Sequence, residues 1–223
     1  AFNLAAELVY TNVLNMVDLA GLPIRSAERT EGQPLIIAGG HCTYNPEPLA
    51  DFLDAVVLGD GEEVITEIHE VLLAARDEGA SRAETLERLC HVEGVYVPSR
   101  YERLADGRVV PLEASTPAVV EKRTVADLGE WPYPKQQLVP LMEVVHDRLN
   151  VEVFRGCTRG CRFCQAGMIT RPVRERPAEQ VIEMVGKGLE RTGYDELSLT
   201  SLSTADFSDI EPTLSAIVND ERN

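Results

Sequence analysis

The sequence predicts an α/β fold. Short apolar runs end in glycine turns, amphipathic helical stretches follow those turns, and the alternation resumes beyond a proline-punctuated middle.

Residues Glu7 to Leu19 place Leu8, Val9, Val13, Leu14, Met16, Val17 and Leu19 at helical spacing, and Gly21-Leu22-Pro23 closes the pattern. Leu35 to Gly40 is an apolar run ending in two glycines, which suits a buried parallel strand opening into a ligand-facing loop. Pro46 and Pro48 start an expected helix through Phe52 and Leu53. Ala55 to Leu58 repeats the strand, Gly59-Asp60-Gly61 turns the chain, and Glu62 and Glu63 complement the dipole of a helix running from Val64 to Ala75. Because a helix comes first and only two such strands follow, the pattern is expected to begin partway through a fold.

Gly79 to Arg82 reads as a loop and Ala83 to Leu89 as a short helix. Val92 to Pro98 and Arg108 to Leu112 flank Ala105-Asp106-Gly107, whose Asp-Gly pair predicts a β ribbon joining the two runs. Thr116 to Val145 carries Pro117, Pro132, Pro134, Pro140 and the sole tryptophan, Trp131, and reads as a connector. Leu149 to Phe154 alternates as a strand, a cysteine loop follows, and Pro177 to Arg191 is helical. Glu196 to Leu202 is a further strand and Ile210 to Val218 a last helix. Three regions follow: 1–80, an α/β domain; 81–147, helix, ribbon and connector; and 148–223, a second α/β domain. The chain begins at Ala1 without an initiator methionine and stops at Asp220-Glu221-Arg222-Asn223, so both ends read as cuts through a larger protein.

With 223 residues, 44% of them hydrophobic, the chain can furnish a real core. Lys+Arg 21 against Asp+Glu 37 gives a net charge of -16, which repels phosphate backbones and anionic headgroups. Nucleic acid is therefore an unlikely partner. No apolar run has the length of a membrane span and the first residues show no basic segment followed by an apolar block and cleavage site, which predicts a cytoplasmic protein without a membrane partner. Five cysteines, three of them within eight residues, fit a metal site in a reducing compartment better than a disulfide framework. The distant Cys42 and Cys90 read as buried thiols.

Arg155-Gly156-Cys157-Thr158-Arg159-Gly160-Cys161-Arg162-Phe163-Cys164 is the most informative stretch. A glycine-containing loop can wrap three thiolates around one iron-sulfur cube. Neighbouring arginines favour the thiolate form and offset cluster charge. Three ligands for four irons leave one iron open for chemistry, as an open position marks a catalytic zinc. Spacing alone leaves alternatives: a zinc site completed by His146 or another residue, a closed electron-transfer cluster with a fourth ligand from Cys42, Cys90 or a histidine, and a packing role, which clustered cysteines rarely have.

The Cys-x3-Cys-x2-Cys spacing, with aromatic Phe163 before the last cysteine and the Val151-Glu152-Val153-Phe154 strand before the first, resembles the signature of the radical S-adenosylmethionine superfamily. The resemblance implies that Cys157, Cys161 and Cys164 ligate a [4Fe-4S] cluster and that S-adenosylmethionine binds the fourth iron. Reductive cleavage would then give methionine and a 5'-deoxyadenosyl radical that abstracts hydrogen from substrate. It further implies that Phe163 shields the cluster and adenine side, and that an external donor such as flavodoxin or ferredoxin supplies the electron. Leu35 to Glu63, with Gly39-Gly40, Pro46-Glu47 and Gly59-Asp60-Gly61-Glu62-Glu63, resembles the later half of a cobalamin-binding-like domain. Phe154 to Arg176 is similar to an uncharacterised bacterial group of B12-binding-domain radical S-adenosylmethionine proteins.

The fold implied is a partial cobalamin-binding-like, Rossmann-like domain followed by the first βα units of a partial TIM barrel, with the barrel truncated at 223. The Asp-x-His-x-x-Gly cobalt-ligand motif is absent from the sequence, and His41, His69, His91 and His146 lack its context. Methyl transfer involving cobalamin is one reaction this family resemblance implies. In such barrels ligands gather at the carboxyl ends of strands. Ser201 and Ser203 match the place that contacts the S-adenosylmethionine amino group, and equally suit plain turn residues. Arg159, Arg162, Arg171 and Arg174 suit either an anionic substrate or a solvated basic cluster. The rival reading from a different class is a metal-stabilised binding or electron-transfer module without catalysis.

Overall fold

The computed structural model describes residues 1–220 apart from Gln136 and Glu143. Two positions of the connector and Glu221, Arg222 and Asn223 of the closing tetrad therefore lie outside the described residues. The chain forms two compact units, Ala1–Val125 and Ala126–Asn223. Residues 81–125 of the expected middle region lie in the first unit and 126–147 in the second.

In the first unit, β1 (Phe2–Asn3) leads through a single 3-10 turn, Glu7–Val9, into α1 (Tyr10–Leu19). β2 (Ile37–Gly39) and β3 (Ala55–Val57) follow, then α2 (Val64–Glu78), α3 (Arg82–Leu89) and β4 (Val95–Tyr96). The sheet order is β1-β2-β3-β4, parallel except for β4. Period-2 alternation along these strands separates two cores. Ala38, Val56 and Tyr96 pack with Val13 and Val17 of α1. Ala55, Val57 and Val95 pack with Val64 and Ile68 of α2 and Leu86 and Leu89 of α3. The first unit is thus an α/β layer structure with helices on both faces.

Three expectations are corrected. A strand, β1, precedes the first helix and pairs Phe2 with Ala38. The helix expected from Pro46 through Leu53 is one 3-10 turn, Glu47–Leu49. It stops because the chain must deliver Asp54 into the interior. There the Asp54 carboxylate accepts from Ile36 N at 2.7 Å and from Arg29 Nη1 and Arg82 Nη2, each at 2.7 Å.

Thirdly, Val95 and Tyr96 do not join the ribbon; they pair with β3. The consecutive apolar Val95, Tyr96 and Val97 are all buried, as in a strand covered on both faces. The Asp106-Gly107 turn stands, with Gly107 at φ +87, but it joins β5 (Tyr101–Arg103) to β6 (Val109–Pro111).

The Gly59-Asp60 motif seats the connector. Arg123 N donates to Leu58 O at 2.8 Å, Asp60 N to Arg123 O at 3.0 Å, and Val125 N to Asp60 Oδ2 at 2.9 Å. Gly59 has φ +101, and a Cβ there would lie 2.7 Å from Arg123 N and nearer still to its carbonyl oxygen. The Arg123 guanidinium binds Glu63 at 3.0 Å and also Glu67.

In the second unit, β7 (Leu149–Glu152) is followed by β8 (Phe154–Arg155), the one-turn helix α4 (Ala166–Ile169), β9 (Arg174–Glu175), α5 (Ala178–Thr192), β10 (Leu197–Thr200) and α6 (Ile210–Val218). β7 and β10 are parallel, pairing Leu149 with Leu197 and Glu152 with Thr200. The expected strand 149–154 breaks at Val153. Its N–H donates to Thr200 O at 3.1 Å while its carbonyl accepts Arg176 N at 2.9 Å, so the chain leaves one ladder for another. β8 then pairs antiparallel with β9. Leu149, Val151, Val181, Val185, Phe207 and Ile217 form the core, and the Phe154 and Phe207 rings stack with centroids 6.5 Å apart. Among the described residues no helix is long and apolar enough to cross a membrane.

Candidate metal centre

β8 delivers the chain to Gly156, whose φ of +88 turns it out of the ladder. A Cβ at Gly156 would lie 2.5 Å from Pro172 O and 2.9 Å from Val173 Cα, so only glycine lets the loop pass the segment returning to β9. Gly160, at φ +67, reverses the loop between the first two cysteines. Cys157 is buried, Cys164 half-buried and Cys161 exposed.

α4 closes the loop. Gly167 N donates to Cys164 Sγ at 3.4 Å, and a Cβ at Gly167 would lie 3.7 Å from that sulfur and 3.8 Å from Cys157 Cβ. Arg171 Nε donates to Cys157 O at 3.3 Å and Gly167 O at 3.1 Å, clamping both ends of the cysteine segment. His146 Nδ1 lies 3.3 Å from Arg148 Nη2. Cys42 and Cys90 belong to the first unit.

Most of the arginines around the cysteines serve the protein itself. Arg155 Nε donates to Glu152 Oε1 at 2.7 Å, and buried Arg176 reaches Glu152 Oε2 at 3.2 Å and the Leu128 carbonyl. Burial pushes the Glu152 carboxyl up, but Arg155 and Arg176 together outweigh it and hold it below the usual carboxylate range. Arg174, also buried, donates to the carbonyls of Pro172 at 3.1 Å and Thr170 at 3.3 Å. Arg162 is exposed. Arg174 is buried and so stands apart from a solvated cluster, whereas Arg171 is an exposed residue whose Nε nonetheless serves the loop's own carbonyls.

Arg159 has a different role. Its Nε donates to Asp206 Oδ2 at 2.6 Å and its Nη2 also bonds that carboxylate, which lies just beyond the carboxyl end of β10. Asp206 in turn accepts from Ser203 Oγ at 2.6 Å. The Arg159 guanidinium and then the Ser203 hydroxyl hold the Asp206 carboxyl below its ordinary range. Ser201 Oγ lies 2.9 Å from Thr204 Oγ1 and accepts Ser203 N at 3.3 Å.

The structure thus ties the cysteine loop to the strand end carrying both serines, through Asp206. Sequence reasoning passed over Asp206: 47 residues separate it from Arg159, and nothing local marks it. Gly167 was likewise missed, although a glycine three residues past a cysteine leaves room for its amide to approach the sulfur. Phe163 is 93% exposed, so within the described residues its ring covers nothing.

Residues 1–98 match the family model for radical SAM proteins, N-terminal, and residues 151–222 match that for the radical SAM superfamily. An uncharacterized protein of Methanocaldococcus jannaschii is 26% identical over 188 residues, covering 82% of this chain and 35% of that protein. A solved structure of the radical S-adenosylmethionine methyltransferase TsrM from Kitasatospora setae, with cobalamin and [4Fe-4S] cluster bound, aligns at 15% identity and a TM-score of 0.46. That alignment covers 82% of this chain and 34% of the other. The chain spans about a third of the length of each.

Proposed function

This chain belongs to the radical SAM superfamily, and on that premise we propose that it is the cluster-bearing part of an enzyme that starts its reaction by hydrogen abstraction. In this reading Cys157, Cys161 and Cys164 hold three irons of a [4Fe-4S] cluster and leave the fourth to the amino and carboxylate groups of S-adenosylmethionine. When bound, the cluster would supply the electron, drawn from a donor such as flavodoxin or ferredoxin, that cleaves S-adenosylmethionine to methionine and a 5'-deoxyadenosyl radical.

The chain's own residues prepare that site. Gly156 and Gly160 set the turns that carry the thiols on one short loop. The Gly167 amide donates to Cys164 Sγ and so fixes the position of the third sulfur. Arg171 fixes the loop's ends through two carbonyls. Ser203 gives its proton to Asp206, which leaves its oxygen lone pairs for a donor such as an ammonium group. We assign Ser203, with Ser201 beside it, to the S-adenosylmethionine amino group, and Asp206 to holding Ser203 in place. The Phe163 ring would close over the adenine side.

Cobalamin is not assigned to the first unit. The close approaches that Gly40 and Gly59 permit at the carboxyl ends of β2 and β3 are filled by the chain itself: Leu4 at the first and Arg123 at the second. No step is therefore drawn through that cofactor.

A single observation carries the proposal: the spaced triad on a glycine-turned loop, with a backbone amide aimed at its third sulfur. Anaerobic reconstitution with iron and sulfide tests it. About four irons per chain are expected, and Cys157→Ala, Cys161→Ala and Cys164→Ala should each abolish the cluster's visible absorption. A protein that takes up only zinc, or a cluster retained in Cys161→Ala, overturns it.

A further inference from the structure

A second group of metal-ligating side chains lies at the C-terminal end of α3, in the first unit. Glu87, Cys90 and His91 occupy positions i, i+3 and i+4, which share one side of a helix. A Glu87 carboxylate oxygen, Cys90 Sγ and a His91 ring nitrogen all lie within 4.8 Å of one another. We propose that these three residues form a binding site for one zinc-class divalent cation, with a fourth coordination position open to solvent.

The donor set is the first reason. Thiolate, imidazole and carboxylate are the ligands of tetrahedral zinc, at bonds of about 2.0–2.3 Å that put donors roughly 3.3–3.8 Å apart. His91 Nε2 already sits 3.4 Å from Glu87 Oε1. The remaining contraction falls to the Glu87 oxygen that faces His91 and to the His91 ring, on side chains that are 30% and 49% exposed.

Cys90 is the fixed member. It is 2% exposed and packed among Leu86, Leu89, Val95 and Val97, so its sulfur is held in place by the core. An ordinary Glu-His contact on a helix accounts for two of the three groups. It gives no reason for a buried thiol to share their side.

The surroundings suit a bound cation. Arg100 Nη1 lies 3.0 Å from Glu87 Oε2 and its Nη2 donates to Ala83 O at 2.7 Å, so the guanidinium grips one carboxylate oxygen and leaves the other facing His91. Outer partners of this kind orient ligands in metal sites. A thiolate and a carboxylate together cancel a divalent charge, and Glu113 lies 3.8 Å from Arg100 to offset that cation. Without metal, the Cys90 Sγ donates its proton in a hydrogen bond to Glu87 O at 3.0 Å. Cation binding would replace that proton, which leaves to solvent.

The test uses the full chain carrying Cys157→Ala, Cys161→Ala and Cys164→Ala, which removes the other metal-ligating loop and makes the result independent of the cluster proposal. Cobalt(II) is titrated in under anaerobic conditions and then displaced by zinc. One cobalt per chain is expected, with the thiolate-to-cobalt charge-transfer absorption and the visible bands of a tetrahedral site. Cys90→Ser should abolish the charge-transfer absorption. Glu87→Ala and His91→Ala, at partly exposed positions that leave the far-ultraviolet circular dichroism unchanged, should each weaken binding by about tenfold or more. Absence of the charge-transfer absorption before Cys90 is changed, its survival in Cys90→Ser, or unchanged affinity in both Glu87→Ala and His91→Ala overturns the proposal.

Discussion

Gly156→Ala should loosen the strand that feeds the cysteine loop, and Gly160→Ala is its internal control. Both glycines have positive φ, +88 and +67, so either alanine meets the left-handed backbone penalty of about 1–2 kcal/mol. The surroundings differ. The new Cβ at 156 would lie 2.5 Å from Pro172 O and 2.9 Å from Pro172 C, whereas at 160 its nearest neighbour is the end of the Arg171 side chain at 3.8 Å.

Pro172 and Val173 lead directly into β9, so relieving the contact at 156 must shift the β8–β9 pairing and weaken one or two backbone hydrogen bonds, at about 0.5–1.5 kcal/mol each. The expected losses are about 1.5–5 kcal/mol for Gly156→Ala and about 1–2 kcal/mol for Gly160→Ala. Urea unfolding followed by the fluorescence of Trp131, the sole tryptophan, reports the second unit. Hydrogen exchange at Arg155 and Arg174 amides localises the change. Equal losses from the two substitutions would refute the steric account of Gly156.

Three further outcomes follow from the geometry. Gly59→Ala should release the segment around Arg123 from Leu58 and Asp60, because the clash is with backbone that cannot rotate away; limited proteolysis near residue 123 should speed up while Gly61→Ala, with open space around it, leaves the rate unchanged. Phe207→Ala empties a fully buried site against Phe154 and should cost about 3–5 kcal/mol in the same urea assay. Asp206 has its folded pKa depressed, so whatever its contacts with Arg159 and Ser203 contribute is present above the ordinary aspartate value of about 3.9 and is lost as pH falls through the lower folded value. Carboxyl NMR should therefore show Asp206 titrating below that value, with the midpoint rising in Arg159→Ala; an unmoved midpoint would contradict the pairing.

Much of this architecture could be read from the sequence, because periodicity registers burial. The helix from Ile210 to Val218 and the strands around Ile37, Val56 and Leu199 lie where the apolar pattern puts them. What escaped notice has physical causes. β1 is two residues long, too short for any period to show. Asp106-Gly107 announces a hairpin without naming its strands, so Val95 and Tyr96 were paired with the wrong neighbour while their unbroken apolar run already marked a covered strand.

Charge gave the least guidance. A row of arginines beside cysteines looks alike whether the guanidiniums meet substrate or their own backbone, and only the folded distances show Arg171 and Arg174 stitching the loop. Gly59-Asp60-Gly61 reads in the sequence as a turn, and only the fold shows that Arg123 of the same chain approaches closely at Gly59. The triad itself was legible because three thiols in one short loop have few uses. Its link to the β10 end through Arg159 and Asp206 exists only in the folded chain.

The central claim is that Cys157, Cys161 and Cys164 leave one iron of a cube free for S-adenosylmethionine. Electron paramagnetic resonance of the anaerobically reconstituted and reduced full chain, recorded with and without S-adenosylmethionine, tests this most directly. A [4Fe-4S] signal whose g values move when S-adenosylmethionine is added is the predicted result. A spectrum that S-adenosylmethionine leaves unchanged would contradict the claim.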